Sequence, residues 1–383
     1  MYHTINFMHM VNDRRRTEAF VAAIRATVRP GDRVVDLGCG FGFFSVVACQ
    51  AGAAHVDAID VNPVVAMGPR VAAANGCADR ITFHHADGAR VALAERADVL
   101  ISDLRGAVPA AGNHFAVVRS VRDRLLKPGG RIIAARDSLW VAPVVASATF
   151  REHVLAPSAA AFVNVEPVQF HLTMVPYKTT VLPEHLLGAP VQWTSMDYAG
   201  AIASDLDGAA ELVIARDGTL EALAIWFDME LAPGITLSNA PGTETASYRQ
   251  LLLPLSKAVQ VRAGDRLHVA LSAHWGEQAY LWRWRGTRAE APGDVLFDQN
   301  SLVETVLDAS LLAFGPDTEV PSVGPHAEAL QWLLARMSAK GTVRAIAAEA
   351  RARWPDRYPS ARDALRWVQR TVQQLDREEN GIE

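Results

Sequence analysis

The sequence predicts an α/β protein in three parts: a parallel sheet covered by helices, an antiparallel β-barrel or sandwich, and a small helical unit. Three stretches of different grammar carry this reading. Residues 9 to about 145 alternate short β-branched runs with Ala-rich helical stretches, the rhythm of a helix-covered parallel sheet. From about 150 to 318 the helical period fades and short apolar runs are separated by Gly, Pro and Asn turns, as in antiparallel architectures. From about 322 helical spacing returns. The implied domains are 1–148, 149–320 and 321–383.

In chain order, Met10-Val11-Asn12-Asp13-Arg14-Arg15-Arg16-Thr17 leads into an amphipathic helix that stops before Pro30-Gly31. The strands of the first domain are expected at Arg33–Leu37, His55–Asp60, Ile81–Phe83, Val99–Ser102 and Arg131–Ala134. In the second domain Ala222–Phe227 and Arg266–Leu271 are the clearest strands. Ala327–Met337, Thr342–Trp354 and Ala361–Leu375 read as three terminal helices, broken at Lys340-Gly341 and at Pro355 and Pro359.

Composition narrows the classes. Half of the 383 residues are hydrophobic (50%) and 21% are charged, a globular balance far from that of a disordered chain. Lys and Arg number 37 against 42 Asp and Glu, so no global positive field favours nucleic acid or anionic lipid. Cys39, Cys49 and Cys77 form no CxxC pair and flank no His at metal spacing, which indicates neither a metal site nor a disulfide framework and fits a reducing cytosol. Met1-Tyr2-His3-Thr4 lacks a basic and then apolar leader, and no long uncharged apolar run follows, so a cytoplasmic location with no membrane contact is expected.

Asp36-Leu37-Gly38-Cys39-Gly40-Phe41-Gly42 follows a strand and opens a helix, where glycines let backbone approach a ligand. Asp60 ends the next apolar strand, placed to accept both hydroxyls of a ribose. The GxGxG pattern differs from that of dinucleotide binders, and Asp36 just ahead of it suits a ligand with an ammonium group. S-adenosylmethionine (SAM) is such a ligand. Asp87, after the Ile81–His85 run, could accept from an adenine amine, and Arg16 could bind the methionine carboxylate in bidentate fashion. The first domain is therefore expected to be Rossmann-like.

With these residues the chain resembles the protein arginine methyltransferases, class I SAM-dependent enzymes, over about residues 7 to 310. The matching residues are Met10, Asp13, Arg16 and Thr17, the Asp36–Gly42 loop, Ile101-Ser102-Asp103 with Gly106, Leu126–Gly130, and Trp226-Phe227-Asp228. The resemblance implies a SAM domain followed by a β-barrel, with Arg16 on the SAM carboxylate, Asp60 on the ribose, and Gly38, Gly40 and Gly42 around the cofactor. It also implies a homodimer joined by a helical arm, and a peptide or protein substrate.

Two departures bear on chemistry. The family clamps the substrate guanidinium between two loop glutamates; here Asp103 and Gly112 occupy those places. The family's Thr-His-Trp loop is matched best by Ala246-Ser247-Tyr248. A guanidinium is protonated at physiological pH, and two carboxylates are needed to localise its charge so that one nitrogen can attack. An amine or imidazole needs only deprotonation and alignment. The expected function is therefore SAM-dependent N-methylation of a non-arginine nitrogen on a peptide or protein, such as a ribosomally made natural-product precursor. Asp103 is expected to orient or deprotonate that nitrogen, with His114 and Tyr248 as further catalytic candidates. The alternatives are an arginine methyltransferase with a degenerate clamp and a non-catalytic binding scaffold. The segment from Leu330 through Gly341–Ile346 to Leu365 resembles small winged-helix peptide-binding domains and implies capture of a leader peptide; a plain helical appendage is the other reading.

Overall fold

Val34 to Leu37 are all buried, as a strand covered on both faces requires, and Arg33–Leu37 (β1) forms the centre of the first sheet. In this computed structural model, which describes residues 3–155, 163–243, 247–276, 279–304, 325–339 and 341–378, β1 is joined by His55–Asp60 (β2), Ile81–His85 (β3), Ala97–Ser102 (β4) and Leu126–Ile133 (β5). The sheet is parallel, with order β3-β2-β1-β4-β5. The accompanying helices are Thr4–Asn12 (α1), Arg14–Thr27 (α2), Phe43–Gln50 (α3), Gly68–Ala74 (α4) and His114–Leu125 (α5). Asp13 starts α2 by accepting from Arg16 N. Strand order reverses between β1 and β4, the crevice in which ligands of such sheets bind.

Antiparallel structure begins at Arg136, earlier than the residue 149 expected. Arg136–Val144 (β6) follows β5 almost directly. No Gly-Pro turn cluster separates the two strands, so the apolar run Leu139–Val144 reads as the tail of the first domain. After β6 come Ala148–Phe150 (α6), Glu166–Leu172 (α7), Tyr177–Thr179 (β7), Val191–Asp197 (β8), Leu206–Val213 (β9), Gly218–Ala232 (β10), Ile235–Ser238 (β11), Gln250–Val261 (β12), Arg266–Trp275 (β13), Tyr280–Arg288 (β14) and Ala291–Asn300 (β15). They form two sheets, β7-β12-β10-β6-β8 with β11 on β10, and β15-β14-β13-β9. Inward residues such as Phe227, Met229, Leu212 and Trp284 share one continuous core with the helices and strands of the parallel layer. Residues 1–306 thus form one compact unit.

Residues 307–383 form a second unit, described by itself. Its helices, Pro325–Ser338 (α8), Val343–Arg353 (α9) and Ala361–Glu378 (α10), pack Leu333, Ile346, Ala350, Tyr358, Ala364 and Val368 into a small core. No strand occurs among its described residues, so the wing expected of a winged-helix module has no counterpart there. The expected boundary near 320 and residue Ala246 lie outside the described residues.

One expectation is corrected outright. Cys49 and Cys77 are paired as a disulfide, with Cα atoms 6.4 Å apart, and only Cys39 is free. The pairing escapes a search for close spacing because the β1-α3-β2-α4 crossover, not the local sequence, brings the end of α3 beside the turn before β3. Among the described residues no helix is long and apolar enough to cross a membrane, and no His, Cys, Asp and Glu cluster could hold a metal.

Candidate active site

The carboxyl ends of β1, β2 and β4 open into a cavity of about 580 Å³, within the usual size of a small-molecule site. Its floor is the glycine turn. Gly38 and Gly40 have φ of 78° and 58°, a left-handed conformation that side chains resist. Gly40 is also crowded: a Cβ there would sit 2.7 Å from the ring of Phe7. Asp60, at the end of β2, accepts from Gly40 N and Asn62 N, each at 2.7 Å. Burial raises its pKa above the usual carboxylate range, although the two backbone donors oppose that rise. Each carboxylate oxygen keeps a lone pair, so a ribose diol can still be accepted here.

At the opposite end Asp103, just past β4, meets α2 and the start of β12. Its Oδ2 accepts from Arg16 Nε at 2.7 Å, pairs with Arg16 Nη2 at 2.6 Å and accepts from the Tyr248 hydroxyl at 2.6 Å. Its Oδ1 is buried without a donor. Arg16 also donates Nη1 to the Met10 carbonyl at 3.2 Å and lies against the rings of Phe20 and Phe44. Burial works against its charge, but Asp103 and Tyr248 outweigh burial and keep the guanidinium protonated. The guanidinium carries five N–H groups, of which these contacts use three; the remaining two fit a cofactor carboxylate. Burial and the neighbouring Asp103 push the Tyr248 hydroxyl well above its ordinary pKa, which fixes it as a donor.

Arg105 is a cavity-lining residue that the sequence reading missed. Its Nε donates to both oxygens of Asp137 on β6, at 3.1 and 2.9 Å, and its Nη1 donates to the Ser102 carbonyl at 3.1 Å. The side chains of the pair are 1% and 0% exposed. The Tyr198 hydroxyl donates to Asp137 and therefore accepts from His114 Nε2 at 2.8 Å, which leaves His114 Nδ1 as an unpaired lone pair. Burial and the Arg105 charge hold His114 well below its ordinary pKa, so the ring is neutral.

Of the expected site residues, the cavity brings together Arg16, Gly38, Gly40, Asp60 and Asp103. It also takes in Gly112, where a Cβ would meet nothing within 4 Å. Others fall elsewhere. Asp36 lies under the loop and accepts from Ser45 Oγ at 2.6 Å; burial raises its pKa to about 7. Gly42 caps α3 against Phe83, and Asp87 closes a turn by accepting from Ala89 N. His114 faces Tyr198 behind the cavity, because the first turn of α5 points it into the core. Tyr248 donates to Asp103 but is not among the residues that line the cavity. Phe7, Phe41 and Phe44 complete the apolar wall, though no motif singled them out.

Comparison with known proteins agrees with this geometry. The sequence profile described as ribosomal protein L11 methyltransferase (PrmA) matches residues 14–133, and that of the arginine methyltransferase oligomerization subdomain matches 136–279. An arginine N(omega)-methyltransferase of Streptomyces achromogenes subsp. streptozoticus is 27% identical over 70% of this chain and 75% of its own length. A probable protein arginine N-methyltransferase 6 of Arabidopsis thaliana is 36% identical over 35% of this chain and 32% of its own. Among solved structures, the Trypanosoma brucei PRMT1 enzyme-prozyme heterotetrameric complex with AdoHcy superposes with a TM-score of 0.71 at 20% identity, covering 78% of this chain and 98% of that one. Arabidopsis thaliana protein arginine methyltransferase 10 gives a TM-score of 0.67 at 20% identity, over 78% and 97%.

Proposed function

We propose that this SAM-dependent methyltransferase, similar to the protein arginine methyltransferases, transfers the methyl group to a neutral nitrogen of a peptide or protein, an amino group or a histidine ring. The observation that carries this reading is the acceptor end of the cavity. There Asp103 is already neutralised by Arg16, Arg105 by Asp137, and Gly112 supplies no acid. Two cations face two anions, so an incoming guanidinium finds no uncompensated negative charge to offset its desolvation.

Asp60 and the Gly38–Gly40 turn would hold the ribose and the backbone-lined part of the cofactor, and Arg16 its carboxylate. SAM supplies an electrophilic methyl on a positively charged sulfur. The rest falls to this chain. Asp103 Oδ1, buried and without a donor, accepts the N–H of the acceptor and takes its proton; Tyr248 and Arg16 hold Oδ2 and so fix the plane of the carboxylate. Apolar walls from Phe7, Phe41 and Phe44 exclude water and align nucleophile with methyl.

A second reading, arginine as acceptor, draws on the names of the relatives above and needs a second acid from elsewhere. Incubating the chain with SAM and peptides that differ only in Arg, Lys, His or a free amino terminus, then locating the added mass by fragmentation, separates the two. Methylation confined to arginine would sink the neutral-nitrogen reading.

A further inference from the structure

The antiparallel sheet has a second concavity on the face turned away from the cofactor cavity. Residues of β6 and β10 alternate: Asp137 and Phe227 point inward to Arg105 and Tyr248, while Trp140, Trp226 and Asp228 point outward. Trp140 and Trp226 are direct cross-strand partners, and Asp228 is the next outward residue on β10. With Pro190, Thr236 and Ser238 they line a groove of about 440 Å³.

The charge arrangement selects an occupant. Glu230, one step further along the same face, has Arg136 directly opposite. Asp228 has Ser138 on one side and Ser238 on the other. Among the described residues it makes no hydrogen bond or ion pair. A half-buried carboxylate beside two indoles, with no cation of its own, is the donor set that recognises a cationic side chain through charge and the aromatic quadrupole together. The net charge of -5 on the chain favours the same sign of ligand.

We propose that this groove is a docking site for a guanidinium or ammonium side chain of a basic peptide, held by Asp228 between Trp140 and the flank of Trp226. The site is separate from methyl transfer and independent of which nitrogen accepts the methyl. It gives a peptide a second point of attachment on the reverse of the barrel sheet.

The test uses the full chain with S-adenosylhomocysteine in excess and two small probes, N-acetyl-arginine amide and its neutral isostere N-acetyl-citrulline amide, read by ligand-observed NMR titration. The arginine probe is expected to bind at least about fivefold more tightly than the citrulline probe. Asp228→Asn, which removes charge but little volume, is expected to bring the arginine probe down to the citrulline level, and Trp140→Leu to weaken it further. Equal binding of both probes overturns the proposal, as does arginine binding unaffected by Asp228→Asn. So does a solution dimer that covers Trp140 and binds neither probe. Unchanged melting temperatures of the two variants show that the loss is local.

Discussion

Substituting Gly112 by glutamate tests the acceptor chemistry most directly. The position tolerates it: φ is -172°, ordinary extended backbone, and the new Cβ would meet no atom within 4 Å. Gly112 and Asp103 line the same cavity, so the new carboxylate shares that space with the existing one. Two carboxylates about 6 Å apart repel by roughly 3 kcal/mol at an effective dielectric constant near 20, and a guanidinium between them relieves that repulsion. A charge-assisted hydrogen bond to the new acid is worth about 1.5–3 kcal/mol. Because Arg16 already offsets the charge of Asp103, most of that repulsion is absent, and the hydrogen bond alone predicts a rise of about 10- to 100-fold in kcat/KM for an arginine peptide in Gly112→Glu. Methylation of a neutral amine or imidazole acceptor should fall or stay level. The assay is paired initial rates by mass spectrometry on peptides that differ only at the acceptor residue. If the unsubstituted protein already methylates arginine efficiently, and Gly112→Glu leaves that rate unchanged, the account of the acceptor end is wrong.

Asp103→Asn should lower kcat by about 10²- to 10⁴-fold, measured at saturating SAM, since it removes both the proton acceptor and the partner of Arg16. Asp137→Asn leaves Arg105 as a buried, uncompensated cation and should cost about 3–5 kcal/mol of stability, read from denaturant unfolding. Replacing both members of that pair by apolar residues should cost much less. Gly40→Ala combines a left-handed residue with the Phe7 clash and should weaken S-adenosylhomocysteine binding by about 5- to 30-fold in calorimetry. Asp36 has a folded-state pKa of about 7, raised from 3.8, so its protonated form favours the fold. That contribution is complete below pH 4 and is lost as pH rises toward 7. Asp36→Asn should flatten the decline in melting temperature across this window.

The parallel layer was legible in the sequence because its strands are buried on both faces and its glycine turn and Asp60 sit at fixed places on a β-α-β unit. The helix that follows Asp13 was expected, but the cap at Asp13 that turns Arg16 into the crevice is seen only in three dimensions. What escaped depends on distant partners. Arg105 finds Asp137 only because β6 turns back against the β4 loop, and nothing near Arg105 announces it. Of the two further candidates, Tyr248 donates to Asp103 while helix phase turns His114 onto Tyr198, and neither lines the cavity. Asp36 and Asp87 carry the same carboxylate as Asp60, and only three-dimensional placement separates a ligand-facing group from a loop prop and a turn cap.

The acceptor end of this enzyme belongs to neither layer alone. Arg16 and Asp103 come from the parallel half and Tyr248 from the other; Arg105 and Asp137 repeat the same division. Cutting the polypeptide after β5 would therefore strip a hydroxyl donor from Asp103 in one ionic knot and the counter-ion from Arg105 in the next, leaving that buried guanidinium uncompensated. The half that carries the cofactor turn is thus chemically unfinished when expressed by itself, and exchanging barrels between relatives would succeed only if both crossing contacts travel together.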